Sequence, residues 1–277
     1  MAGFRERLTE QQRRKQSCVV VGLDPRLDQL PAVFQGRSPG QAILAFNRAI
    51  IDGVADLCVA IKPQSAFYEL HGAAGFDALQ QTVAYARDRG LLTIVDAKRN
   101  DIGATAEAYA RTFLHPDGPF NADAVTVNGY LGSDGVMPFL ELAAEHGKAV
   151  FVLVKTSNRS SGELQDLLTD HGRVFEIMAR LVDAWDCEAV VGGTWPDQAS
   201  RARKLMPRAT ILVPGYGTQG ATAEDVMANF RSDGSGAIVN SARGIIQADP
   251  WPEGPRTATE AMRLALNTAL ARRREQR

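Results

Sequence analysis

Eight short apolar, β-branched runs recur along the chain, and their spacing constrains the fold more than any other feature. They occupy residues 18–23, 57–61, 91–95, 122–127, 149–154, 188–191, 209–213 and 237–239. Successive runs are roughly thirty residues apart, the size of a strand–helix unit. Amphipathic segments fill the gaps, for example 41–54, 76–89, 136–146, 173–184 and 222–229. Strands alternating with helices imply a parallel sheet with right-handed crossovers. Eight such units close most naturally into one (β/α)8 barrel. The reading is therefore an α/β chain whose residues 1–277 form a single barrel domain, with a short N-terminal helix and a C-terminal helical tail. A doubly wound open sheet is the competing arrangement, but the Gly-x-Gly-x-x-Gly turn expected after its first strand is absent. No low-complexity linker or composition break divides the chain.

A barrel of this kind carries its site at the C-terminal ends of the strands, and there the ionisable and amide residues collect. The first run ends in Gly22-Leu23-Asp24-Pro25, the second in Ile61-Lys62-Pro63-Gln64 and the third in Asp96-Ala97-Lys98. The fourth ends in Asn128-Gly129-Tyr130, the fifth in Lys155-Thr156-Ser157-Asn158 and the eighth in Asn240-Ser241-Ala242-Arg243-Gly244. Side chains alternate across a strand, so Asp96 and Lys98 point the same way where the third strand emerges. Asp101 follows three residues later. Burying charge is costly unless it is paired, and a fold needing only stability would place apolar residues there. Two readings stand at this point: a reactive acid–ammonium pair, or a structural ion pair with Asp101 as N-cap of the next helix.

The seventh run continues into Pro214-Gly215-Tyr216-Gly217-Thr218-Gln219-Gly220. Glycines there let the backbone approach an anion, and Arg243 can add a bidentate charge-assisted contact. The loops after strands seven and eight are where barrels commonly hold phosphate. The bland alternative is a tight turn.

Charge and composition exclude several classes. The net charge of −1 suggests no nucleic-acid or membrane surface. Arg272, Arg273 and Arg274 read as a solvated helix end. Cys18, Cys58 and Cys187 are too few and scattered for a metal knuckle or a disulfide framework, and each opens an apolar run as a small buried hydrophobe. His71, His115, His146 and His171 show no i, i+4 pairing, so no metal site is expected. Trp185, Trp195 and Trp251 read as packing residues, while Lys155 could serve either the site or its rim. No signal-peptide core or membrane-spanning run is evident, which makes a cytoplasmic location the expectation.

The segment Asp96-Ala97-Lys98-Arg99-Asn100-Asp101-Ile102-Gly103-Ala104-Thr105 resembles the Asp-x-Lys-x-x-Asp-Ile-x-x-Thr signature of orotidine 5′-phosphate decarboxylases. Gly22-Leu23-Asp24-Pro25, Lys62-Pro63-Gln64-Ser65-Ala66-Phe67-Tyr68-Glu69, Val154-Lys155-Thr156-Ser157-Asn158 and the loop 213–220 look like the longer bacterial form of that family. The likeness runs in order from Gly22 to Gly244; Asn100 and Gly129 depart from the family pattern at uncharged positions. The resemblance implies cofactor-independent, metal-free conversion of orotidine 5′-phosphate to uridine 5′-phosphate in pyrimidine synthesis. It also implies roles. Lys62, Asp96, Lys98 and a partner subunit's copy of Asp101 would form an alternating charged network, with Lys98 protonating C6. Asp24 and Lys62 would hold the ribose, and Thr156 or Ser157 would face the pyrimidine. Gln219, Gly217, Gly244 and Arg243 would clamp the phosphate. Ile102 and Thr105 would arrive with Asp101 across a homodimer interface.

Two alternative functions are compatible with the same barrel. One is a metal-dependent keto-sugar-phosphate decarboxylase or aldolase of the same architecture, which needs a carboxylate pair for the cation. The other is a non-catalytic nucleotide-binding barrel, which should have lost a member of the charged network.

Overall fold

The structure is a computed structural model that describes residues 2–275. Its eight barrel strands are β1 (Val19–Leu23), β2 (Ala60–Pro63), β3 (Leu92–Arg99), β4 (Ala124–Val127), β5 (Ala149–Lys155), β6 (Glu188–Val191), β7 (Ile211–Val213) and β8 (Ala237–Ser241). Each pairs in parallel with the next, and β8 returns to β1, so the sheet closes. The eight runs are therefore the eight strands of a (β/α)8 barrel.

Alternation along the strands builds two cores. Inward residues Val20, Ala60, Ile94, Ala124, Phe151, Val190, Leu212 and Ile238 fill the barrel. Outward residues such as Val19, Val21, Ile61, Val95, Val125 and Val239 pack against the helix layer. That layer includes the helices Pro39–Val54, Gly72–Asp88, Gly103–Leu114, Ser133–Glu145, Val174–Ala184 and Pro196–Leu205. Strands buried on both faces explain why the runs are continuously apolar rather than alternating. Removing each large aliphatic side chain from water contributes about 1.5–3 kcal/mol.

The helix Phe4–Lys15 closes the bottom of the barrel. Phe4 and Leu8 join the inner core, and Phe4 meets Phe151 edge-on at 5.8 Å between ring centres. Helix Gly254–Glu275 buries Met262, Leu266 and Ala269 against the outer core. Trp251 packs on Phe34 and Phe46, as a packing residue should. Cys18, Cys58 and Cys187 are buried free thiols, each pushed up to about 12 by burial.

Boundaries differ from the sequence reading in three informative places. Leu57 and Cys58 finish the preceding turn, so β2 starts at Ala60 rather than at 57. The segment 222–229 is a single helical turn, Ala223–Val226, followed by a 3-10 turn, Met227–Asn229. The third strand does not stop at 95 but continues to Arg99 with an irregularity: its pairing with β4 shifts register between Val95 and Arg99.

Candidate active site

Two residues beyond the inner apolar layer, the same alternation brings Gly22, Lys62, Asp96, Thr126 and Asn240 to the top of the barrel. All but Gly22 line a cleft of about 420 Å³ at the C-terminal strand ends, together with Asp24, Lys98 and the loops after β5, β7 and β8. The floor of the cleft is apolar, made by Leu153, Val190 and Leu212.

Asp96 is the hub. Its Oδ2 accepts from Lys62 Nζ at 2.7 Å and its Oδ1 from Lys98 Nζ at 2.6 Å. The Thr126 hydroxyl donates to the same Oδ1 at 2.8 Å. Burial would raise the Asp96 pKa, but the two ammonium groups outweigh it and hold the carboxyl well below the usual carboxylate range. Burial would lower Lys62, and Asp96 and Asp24 outweigh that and raise it. Asp24 is the exception: burial raises its pKa despite Lys62 nearby. Its Oδ1, like Asn240 Oδ1, is buried without a hydrogen-bond partner among the described residues. Lys98 differs from Lys62 in access, its side chain being 42% exposed against 6%. Its ammonium is open to the cleft and anchored by Asp96.

Around the mouth, the β7 loop takes left-handed backbone at Gly215 (φ 100°), Gly217 (φ 73°) and Gly220 (φ 98°), conformations that glycine adopts without the Cβ penalty. Gln219 and Thr218 from this loop and Arg243 from the start of the short helix Arg243–Ile246 line one side of the cleft. Gly217 and Gly244 are exposed beside them. On the β5 side, Thr156 is held: its hydroxyl accepts from Gln165 Nε2 at 2.8 Å and donates to Asn158 Oδ1 at 2.7 Å. The Ser157 hydroxyl makes no hydrogen bond among the described residues.

Of the residues singled out from sequence, Asp24, Lys62, Asp96, Lys98, Thr156, Ser157, Gln219 and Arg243 converge on one cleft. Asp101, Ile102 and Thr105 do not line it. Asp101 is not the N-cap of the following helix either: that position is Ile102, whose N–H donates to Asp101 Oδ1 at 2.8 Å. Lys155 is resolved as a rim support. It is fully buried, with Nζ 2.9 Å from Asp166, a residue next to the small antiparallel ribbon of Leu168–Thr169 and Gly172–Arg173. Trp195 likewise serves the rim by donating to the Thr156 carbonyl at 3.1 Å. Thr126, Gln64, Asn158 and Asn240 were not singled out, although each lines the cleft. For Gln64, Asn158 and Asn240 the signal was their place at a strand end; Thr126 sits inside an apolar run and gave none.

Fold and cleft together define a (β/α)8 barrel with an acid–ammonium cluster at the C-terminal face and a glycine-rich loop beside it. The family model described as "Orotidine 5'-phosphate decarboxylase / HUMPS family" matches residues 18–259, and the chain belongs to that family. An orotidine 5′-phosphate decarboxylase of Rhodopirellula baltica is 43% identical over 270 residues, covering 90% of this chain and 89% of its own. The solved structure of Leishmania donovani OMP decarboxylase overlays with a TM-score of 0.84 at 32% identity, covering 97% of this chain and 99% of that one. The UMP synthase of the same organism overlays with a TM-score of 0.86 at 33% identity, covering 98% of this chain and 57% of that longer one.

Proposed function

We propose that this chain decarboxylates orotidine 5′-phosphate to uridine 5′-phosphate, and that Lys98 is its proton donor. The observation that carries the reading is the Lys62–Asp96–Lys98 cluster, in which one buried carboxylate holds two ammonium groups beside a cradle suited to phosphate. The bond from C6 to the carboxylate carbon breaks, carbon dioxide leaves, and the electron pair stays on C6. A proton from the Lys98 ammonium then forms the C6–H bond, and solvent returns a proton to the exposed amine.

The C6 carbanion has no ring position to delocalise into, so its stabilisation is electrostatic. An ammonium about 3 Å away contributes about 5 kcal/mol at an effective dielectric of 20. Very slow reactions need ~20 kcal/mol or more, so one lysine is insufficient. Binding energy from the phosphate, held by Gln219, Arg243 and the amides near Gly217 and Gly244, supplies more by closing the loops and excluding water. Asp96 presses on the departing carboxylate and aims the Lys98 ammonium. Asp24, with its unpartnered oxygen, and Lys62 take the ribose hydroxyls. Ser157 faces the pyrimidine, because the Thr156 hydroxyl is already committed on both sides.

The working unit is a homodimer acting on a small nucleotide without metal or organic cofactor, each subunit one barrel domain. Asp101, Ile102 and Thr105 lie outside this chain's cleft, with Ile102 54% exposed, and the Asp101 carbonyl and the exposed Leu131 both lie against Gly135. A two-fold axis through this surface lets each copy lend these residues to the other's site. No helix among the described residues is long and apolar enough to cross a membrane, and pyrimidine synthesis fits a cytoplasmic setting.

The metal-dependent alternative needs a carboxylate pair open to a cation, whereas both Asp96 oxygens are taken by ammonium groups. The test follows the fall of substrate absorbance with purified protein and orotidine 5′-phosphate. Turnover that persists in chelator is expected. Turnover that vanishes with chelator and returns with magnesium favours the metal enzyme, and binding of uridylate without turnover favours a binding barrel.

A further inference from the structure

The backbone of Lys98 is unusual: its φ is +48°, the left-handed region that costs a non-glycine residue about 1–2 kcal/mol. It lies within the register shift between β3 and β4, where regular pairing is interrupted. The Lys98 N–H is not left open. It donates to Thr126 Oγ1 at 2.9 Å, while the Thr126 hydroxyl donates to Asp96 Oδ1 at 2.8 Å. A backbone N–H can only donate, so the threonine oxygen accepts there and its single proton is directed to Asp96. Asp96 must therefore present an unprotonated oxygen to it, in line with the low pKa of that carboxyl. Thr126 is itself buried, 1% exposed, and its β-branched side chain has restricted rotamers. One hydroxyl thus ties the main chain of the lysine to the carboxylate that aims its ammonium.

We propose that Thr126 is a positioning residue: it holds Lys98 in its strained backbone conformation and fixes the orientation of the Asp96 carboxylate, setting where the Lys98 ammonium stands. This rests on the decarboxylase reading above and adds a residue to its machinery. Misplacing a reacting group by about 1 Å can cost on the order of 100-fold in rate. The scale expected for an apolar replacement follows from that.

The experiment compares wild type with Thr126→Val, Thr126→Ala and Thr126→Ser, measuring kcat and KM on orotidine 5′-phosphate and Kd for uridine 5′-phosphate. Val and Ala should lower kcat by on the order of 100-fold while KM and the uridylate Kd move less than about threefold. Ser, which keeps the hydroxyl, should recover kcat to within about fivefold of wild type. The proposal is overturned if both apolar variants keep more than half of wild-type kcat. It is overturned equally if Ser is as impaired as Val, or if kcat and uridylate binding fall in parallel. A wild type that binds uridylate but never turns over orotidine 5′-phosphate contradicts the decarboxylase reading itself, whichever way the variants behave.

Discussion

The two ends of the barrel hold similar residues in opposite ways. At the bottom, each buried acid is saturated. Asp123 takes Arg7 on one oxygen, and the N–H and hydroxyl of Thr93 on the other, both at 2.9 Å. Glu188 takes Arg5 on one oxygen and the Thr210 N–H on the other. Those arginines come from the helix that plugs the barrel, so the pairs lock an element in place. At the top, Asp24 and Asn240 each keep a buried oxygen without a partner, Lys98 carries left-handed backbone, and its ammonium reaches solvent. Carboxylates serve stability where both oxygens are taken, as in Asp123 and Glu188, and function where the fold leaves one open, as in Asp24.

The largest expected break in that comparison is at Lys98. Lys98→Ala should abolish turnover, leaving under about a thousandth of wild type, while uridylate binding and thermal unfolding stay nearly unchanged. Mixing it with inactive Asp101→Ala sharpens the test of a shared site. With subunit exchange shown by a tag, about a quarter of wild-type activity should return, since a heterodimer holds one doubly damaged and one intact site. Proven exchange with no recovery would place Asp101 in the service of its own chain.

A smaller effect belongs to the phosphate side. Arg243→Ala should lose on the order of 100-fold in kcat/KM, mostly through the dianion. Phosphite added with a truncated, phosphate-free substrate should then activate wild type far more than the variant. Equal activation of both would remove Arg243 from the clamp.

The bottom should answer with the opposite signature. Asp123→Ala strips partners from Arg7 and Thr93 and should lower unfolding stability by roughly 3 kcal/mol, read by denaturant titration, with kcat unchanged within about twofold. Loss of kcat without loss of stability would erase the division between the two ends.

How much of this was legible in the chain follows from what each feature depends on. The barrel was readable because its strands are buried on both faces, so their apolar runs stand out and repeat. The charged cluster was readable because strand alternation points Asp96 and Lys98 to one side, and the irregular backbone at Lys98 still brings its ammonium to Asp96. Thr126 was not: inside Val125-Thr126-Val127 a threonine looks like any β-branched strand residue, and its role depends on a register shift with a neighbouring strand. The left-handed backbone of Lys98 leaves no mark in sequence, since no glycine or asparagine stands there. The partnership of Lys155 with Asp166 depends on a loop that folds back after β5, and local pattern does not report such returns. Asp101 looked like a helix cap because Asp favours that position, yet the helix begins beyond it, after Ile102.

The most direct test of the division between the ends is the stability of Asp24→Asn across pH, beside its activity. Burial raises the Asp24 pKa, so the folded state binds the proton more tightly than the unfolded chain, whose value is about 3.8. Ionised Asp24 therefore costs stability above that pH and costs nothing below it. A neutral amide escapes the cost. Asp24→Asn should unfold at higher denaturant than wild type at pH 7, the gap should close as pH falls towards 4, and kcat/KM on orotidine 5′-phosphate should drop at least tenfold. A variant less stable than wild type at pH 7, behaving as Asp123→Ala is expected to behave, would contradict that division.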